Sequence, residues 1–185
     1  MRAIGSAVER LWHHAMRGEA RHPPADAALT LRAARDTAAD AAFLYALYVA
    51  TKAAETAAMP IDAAGKDFLL RMQYRSMTTT YRRDYPAARF EIVELAGEPI
   101  GQIITDVGRC CVTYVDIALS PVVQGRGLAT ALMLRMLEEP RRLGLPARVN
   151  VLATNAASLK LCERVGFVKL ADVPPFVRLE WRAGG

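Results

Sequence analysis

The chain has 185 residues, an apolar fraction of 52% and a formal net charge of +5. That length suits one domain with a core of its own, and that composition excludes an intrinsically disordered chain. Charged residues interrupt every apolar run, which excludes a membrane-spanning helix, and Met1–Pro24 lacks the unbroken apolar stretch of a secretory signal.

Residues 1–28 read as an extension separate from the rest of the chain. Ile4, Val8, Leu11, Trp12 and Met16 fall at helical spacing, with Arg2, Arg10 and Arg17 among them, until "RHPPAD" breaks the pattern. A docking helix or a poorly ordered terminus fits this segment, and His13 and His14 within it read as incidental. Leu29–Ala34 predicts a first strand. Asp36 or Thr37 can cap a helix from Ala38 to about Ala58, with Phe43, Leu44, Leu47 and Tyr48 on its apolar face. Pro60 ends it, and a second helix is expected from about Asp62 to Tyr81.

Strands come next. Ala87–Leu95 alternates, "AGEP" turns the chain, and Ile100–Val107 and Cys110–Leu119 read as two more strands, the last rich in β-branched residues. Gly127–Glu138 predicts a helix with Leu128, Leu132 and Met136 on its buried stripe. Ala147–Ala153 is a strand, Ala156–Val165 a helix, and "FVKLA" and "VRLEW" are two final strands joined through Pro174-Pro175. The order β-α-α-β-β-β-α-β-α-β-β implies an α/β protein with a mixed sheet and helices on both faces.

The charge is unevenly placed. Residues 1–119 hold 14 Lys/Arg against 14 Asp/Glu, whereas residues 120–185 hold 10 against 5. The excess of positive charge suits an anionic ligand of the C-terminal half, or simply a solvated basic face. No basic stripe interleaved with aromatics and no zinc pattern points to nucleic acid, and none is expected as a partner. Cys110, Cys111 and Cys162 form neither a metal-binding spacing nor an even disulfide framework, so no metal is expected and a reducing cytoplasm is the simplest compartment.

The stretch "SPVVQGRGLATALM" (Ser120–Met133) carries the chemistry. A strand ends near Leu119, a short loop holds Gln124, Gly125 and Arg126, and a helix starts near Gly127. The first amides of a helix have no partners within it, and its dipole adds partial positive charge. Glycine lets backbone approach an anion closely, and Arg126 can add a charge-assisted hydrogen bond. A P-loop would need Gly-Lys-Ser/Thr, which "GRGLAT" lacks. A dinucleotide fingerprint would need glycine or alanine where Thr130 stands, and an acid further on. Both fail.

Gln124-x-x-Gly127-x-Ala129 resembles the pyrophosphate-binding segment of the GNAT superfamily N-acetyltransferases. A second segment, "TNAASLKLCERVGF" (Thr154–Phe167), is similar to the family's Asn…Ala…Leu-Tyr-Glu-x-x-Gly-Phe pattern through Asn155, Leu161, Glu163, Gly166 and Phe167. With the strand order, the resemblance covers about Leu29 to Trp181, which makes 29–183 an acetyltransferase domain. It implies a central, mostly antiparallel sheet in which the strands around Val112–Leu119 and Ala147–Ala153 splay apart to admit pantetheine. Backbone of Ile117, Ala118 and Leu119 would bind pantetheine and polarise the thioester carbonyl. The amides of Gln124, Gly125, Arg126, Gly127, Leu128 and Ala129 would hold the pyrophosphate, and Asn155 and Ser158 would face the pantetheine arm. The implied cosubstrate is acetyl-CoA. The implied reaction is transfer to a primary amine of a small molecule or peptide, by direct attack in a ternary complex.

Structural roles stand beside these. Gly125 and Gly127 can simply make a sharp turn, Asn155 can be only a helix cap, and Gly166 and Phe167 fit a helix stop and a core aromatic. The chain departs from the family at Cys162, where a tyrosine commonly protonates the departing thiolate. Asn155, Ser158 and Cys162 share a helix face, and an ordinary thiol pKa of roughly 8.5 would match the leaving thiol. The alternative is a small buried filler, with water or the acceptor's own proton serving instead. Asp116, on the face of Tyr114 and Val112, is the candidate base; a structural carboxylate is its other reading, and Glu91 is a weaker base. The two early helices and the connection Ala171–Phe176 are expected to wall the acceptor pocket; Tyr45, Tyr48, Tyr74 and Tyr81 could line it, but aromatic residues on helices are more often core. A non-catalytic acyl-CoA-binding sensor, a longer acyl donor and a homodimer are alternatives that the residues leave open.

Overall fold

The computed structural model describes residues 29–184; the expected N-terminal helix and its two histidines lie outside the described residues. The elements are β1 (Leu29–Ala33), α1 (Ala38–Thr51), α2 (Ala53–Ala57), α3 (Ala63–Asp84), β2 (Arg89–Leu95), β3 (Glu98–Val107), β4 (Val112–Leu119), a 3-10 turn (Pro121–Val123), α4 (Leu128–Met136), α5 (Glu138–Leu143), β5 (Ala147–Leu152), α6 (Ala156–Arg164), β6 (Val168–Val173) and β7 (Phe176–Trp181). The strands form a seven-stranded sheet in the order β1-β2-β3-β4-β5-β7-β6. It is a mixed, mostly antiparallel α/β arrangement: β1–β2, β5–β7 and β6–β7 pair antiparallel, and β4–β5 pair parallel.

Two compact units divide the chain, one of residues 29–86, 90–102 and 118–123, the other of 87–89, 103–117 and 124–184. In the first, Thr37 caps α1 by accepting from the amide of Asp40, and Asp62 caps α3 through the amide of Gly65 at 2.8 Å. The single long helix expected up to Ala58 is broken at Lys52, which is both the C-cap of α1 and the N-cap of α2. β2 turns into β3 through Ala96 and Gly97, both at positive φ, the backbone of a two-residue hairpin. Leu47, Leu70, Ile92, Val93, Leu95 and Ile100 form its apolar core.

In the second unit the core is built by Ile103, Ile104, Val112, Tyr114, Leu132, Met133, Leu137, Ala147, Phe167 and Trp181. The turn from β3 to β4 closes with the amide of Gly108 donating to the Cys111 carbonyl at 3.0 Å. One element was not expected. Pro140 reads as a helix stop, yet it sits in the first turn of α5, where a missing N–H costs nothing because that amide has no helical partner. Leu137 joins α4 to α5, and Gly144 ends α5 in the left-handed region. The connection expected over Ala171–Phe176 is shorter: β6 runs to Val173 and β7 starts at Phe176, leaving only the cis Pro174-Pro175 turn.

Candidate active site

The loop after β4 has the form that the sequence predicts. Gln124, Gly125, Arg126 and Gly127 are exposed, and the two glycines adopt φ of 77° and 75°. An L side chain is strained there, so these positions favour glycine for conformational reasons alone. Gly127 is the N-cap of α4; it has no side chain to occupy the first amides, and its carbonyl accepts from Ala131. Among the described residues nothing lies within 4 Å of where a Cβ would stand on either glycine, so the backbone faces open space. That geometry fits an anion held by main-chain donors at the positive end of a helix.

β4 and β5 part. Their parallel register covers Val112↔Ala147, Thr113↔Arg148 and Tyr114↔Val149. β4 then runs on through Asp116 and Ile117 to Leu119, while β5 runs on to Leu152, paired with β7 as far as Leu152↔Phe176. Strand alternation places Asp116 on the face of Val112 and Tyr114. Tyr114 is buried on that face, its hydroxyl donating to the Met136 carbonyl at 2.7 Å, and burial pushes its pKa up. Asp116 is half-buried.

The other end of β4 explains a glycine that the sequence motifs leave out. A Cβ on Gly101 of β3 would stand 2.5 Å from both the Ala118 carbonyl oxygen and a Leu119 methyl. The amide of Ser120 donates to the Ile100 carbonyl at 2.8 Å. Gly101 therefore lets β3 come close to the residues expected to polarise the thioester. The signal was present, since a lone glycine inside an otherwise β-branched strand marks a close backbone approach.

Asn155 is the N-cap of α6, with Oδ1 accepting from the Ser158 amide at 3.1 Å. This engages one corner of its amide and leaves the Nδ2 donors on the other, so capping and ligand contact are compatible. Cys162, on the same helix, is 4% exposed, and burial pushes its thiol up to about 11. That lies above the ordinary thiol value of roughly 8.5, because the charged form has lost its solvent. Leu161 is half-buried, Glu163 exposed, and Gly166 takes φ of 93° where α6 ends, with Phe167 buried beyond it.

Three of the four helix tyrosines pack on one another, as core aromatics would. Tyr74 lies 5.4 Å from Tyr45 and 5.3 Å from Tyr48, ring centre to ring centre, and the Tyr45 and Tyr48 hydroxyls bond Asp67 and Gln73. Tyr81 is half-buried near the end of α3, and Glu91 is half-buried opposite Ala33. Asp116, Ile117, Gln124–Ala129, Asn155, Ser158 and Cys162 all belong to one compact unit; Ala118 and Leu119 belong to the other. Among the described residues no group of three or more His, Cys, Asp or Glu could hold a metal, and no helix is long and apolar enough to cross a membrane.

The site thus combines a mixed sheet, a parallel strand pair whose register ends at Tyr114↔Val149, and a glycine turn into a helix N-terminus. The chain belongs to the acetyltransferase (GNAT) family, whose model matches residues 63–167. No curated protein matches it in sequence. Among solved structures it is similar in fold to the PaiA N-acetyltransferase of Thermoplasma acidophilum, solved with coenzyme A, at TM-score 0.62 and 14% identity, over 84% of this chain and 99% of that one. The spermidine N-acetyltransferase of Vibrio cholerae, solved with CoA and spermine, gives 0.55 and 22% over 82% and 92%. The ribosomal-protein-S18-alanine N-acetyltransferase of Escherichia coli gives 0.54 and 18% over 84% and 94%.

Proposed function

We propose that this acetyltransferase moves the acetyl group of acetyl-CoA to a primary amine of a small molecule or peptide, by direct attack in a ternary complex. The observation that carries the reading is the parting of β4 from β5 after Tyr114↔Val149, in a chain that next makes the Gly125–Gly127 turn into α4. Acetyl-CoA would supply an acetyl group already activated as a thioester. The amides of Gln124–Ala129, with Arg126, would hold its pyrophosphate. Main chain of Ile117, Ala118 and Leu119 would take the pantetheine as an added strand and direct an amide at the thioester carbonyl. Asn155 would donate through Nδ2 to the same arm, with Ser158 beside it.

Asp116 is the base we assign to the attacking amine, which must lose a proton to become nucleophilic. Cys162 keeps its proton at neutral pH, and at a pKa of about 11 it is a poor donor to a thiolate of ordinary basicity. The proton for the departing thiolate is therefore assigned to water or to the acceptor itself. Residues 29–183 form the catalytic domain in this reading. Three free thiols suit a reducing cytoplasm. A polyamine-acetylating neighbour makes a small aliphatic amine a reasonable first acceptor to try.

The test is acetyl-CoA turnover, followed as free thiol, across a panel of polyamines, amino acids and peptides with free amino termini. Amine-dependent thiol release with a mass gain of one acetyl group on the acceptor is expected. Tight coenzyme A binding with no release on any acceptor would instead make the chain a binding module. Mass spectrometry of co-purified thioester separates acetyl from longer acyl donors.

A further inference from the structure

The turn between β3 and β4 carries two adjacent cysteines that the acetyltransferase reading does not use. Cys110 is exposed and Cys111 half-buried, neither is in a disulfide, and their Sγ atoms lie 4.0 Å apart. The turn is pinned by the Gly108–Cys111 hydrogen bond, and the Cys111 sulfur also contacts the Thr113 hydroxyl at 3.7 Å. Two sulfurs each bound at roughly 2.3 Å to one d10 metal ion, and 4.0 Å from each other, subtend about 120° at the metal. That is a trigonal angle.

Cationic side chains lie on the strands that follow this turn. Thr113 is the register partner of Arg148 on β5. Arg148 donates to the buried carboxylate of Glu180 at 2.7 Å, and Arg182 donates to the other oxygen of the same carboxylate at 2.7 Å. Two guanidinium groups thus share one carboxylate, a surplus of one positive charge. Arg148 has its pKa raised, first of all by the Glu180 hydrogen bond. Arg109 adds another cation next to Cys110 in the chain.

We propose that Cys110 and Cys111 form a chelating site for one soft monovalent cation of the Cu(I) class. Two S–H bonds break, two metal–sulfur bonds form and two protons pass to solvent; no electron is transferred. The product carries one negative charge, which the surplus of the Arg148–Glu180–Arg182 group offsets. A neutral third ligand, water or an external thiol, completes the trigonal arrangement. Thiolate sulfur selects this class of ion over harder divalent cations.

The full-length protein is titrated anaerobically with Cu(I) against a chromogenic Cu(I) chelator. One ion retained per chain, two protons released per ion, and about two sulfur neighbours by X-ray absorption are expected. Cys110→Ser and Cys111→Ser should each weaken retention at least tenfold. Native alkylation, which leaves the buried Cys162 untouched, should do the same without any variant that must refold. Retention by the Cys110→Ser/Cys111→Ser double variant at the wild-type level would overturn the proposal, as would a wild type that yields all its Cu(I) to the chelator as readily as that variant does.

Discussion

Arg32 and Asp40 meet through two parallel hydrogen bonds, Nη1 to Oδ2 and Nη2 to Oδ1, both of 2.7 Å. Asp40 is 6% exposed, and its Oδ2 also accepts from the Arg35 amide at 2.8 Å, while Nε of Arg32 reaches Glu94. One strand residue thus ties the first turn of α1 to β2. Replacing Arg32 by Met leaves a buried carboxylate without its cation, and a loss of roughly 2–4 kcal/mol is expected by urea unfolding. The carboxyl is held below its ordinary value, chiefly by the Arg32 hydrogen bond. Its contribution is therefore complete above the unfolded value of about 3.9 and is lost as pH falls through the folded one. Stability measured between pH 6 and pH 3 should fall less steeply in Asp40→Asn than in wild type; equal slopes would mean that the pair plays no part in acid unfolding.

Gly101→Ala should be the most damaging single methyl in this region. Its Cβ would meet the Ala118 carbonyl oxygen, and backbone cannot rotate away as a side chain can. We expect a loss of roughly 2–3 kcal/mol, or displacement of the end of β4, with turnover falling more than the melting temperature alone explains. Wild-type activity and melting temperature together would show that β3 and β4 are further apart there.

Gly127→Ala and Gly97→Ala form a matched pair. Both glycines have positive φ and open space about them, so each alanine should cost about 1–2 kcal/mol of backbone strain. Only Gly127 lies in the proposed pyrophosphate turn. The KM for acetyl-CoA should rise severalfold in Gly127→Ala and stay put in Gly97→Ala. A parallel change in both would reduce the loop to a structural turn.

Asp116→Asn and Cys162→Ala divide the proton transfers. Loss of the base should lower kcat/KM at least 100-fold and remove the acidic limb of its pH profile. Cys162→Ala should keep turnover within a factor of two and cost about 1 kcal/mol of stability, as a small buried side chain would. An unchanged profile in the first, or a collapse of turnover in the second, would exchange the two assignments.

The sequence marks the turn proposed for the cosubstrate more clearly than any acceptor site, for physical reasons. Positive φ at Gly125 and Gly127 and the Asn155 cap of α6 are matters of backbone conformation, which residue type and local spacing record. Strand order was equally legible, because alternation and turn residues set it. The break of the first helix at Lys52 was not, since neither glycine nor proline marks it. α5 is not marked in the sequence, because proline is a helix stop or a helix start depending on which turn it occupies, and Pro140 lies in a first turn. The thiol acidity of Cys162 is a property of burial, which one residue letter does not carry. Tyr45, Tyr48 and Tyr74 could be pocket or packing by sequence alone; their contacts with one another are tertiary.

The hydroxyl of Tyr114 holds the Met136 carbonyl, in the last turn of α4, while Gly127 caps the opposite end of that helix. α4 is thus a strut of about 13 Å, bolted at its base to β4 and carrying the glycine turn at its tip. A small rotation at the base is magnified along that length. Tyr114→Phe, which removes the bolt and alters nothing at the tip, should slacken the turn's aim. It would show as faster coenzyme A release from a protein in which every residue of the proposed pyrophosphate turn is intact.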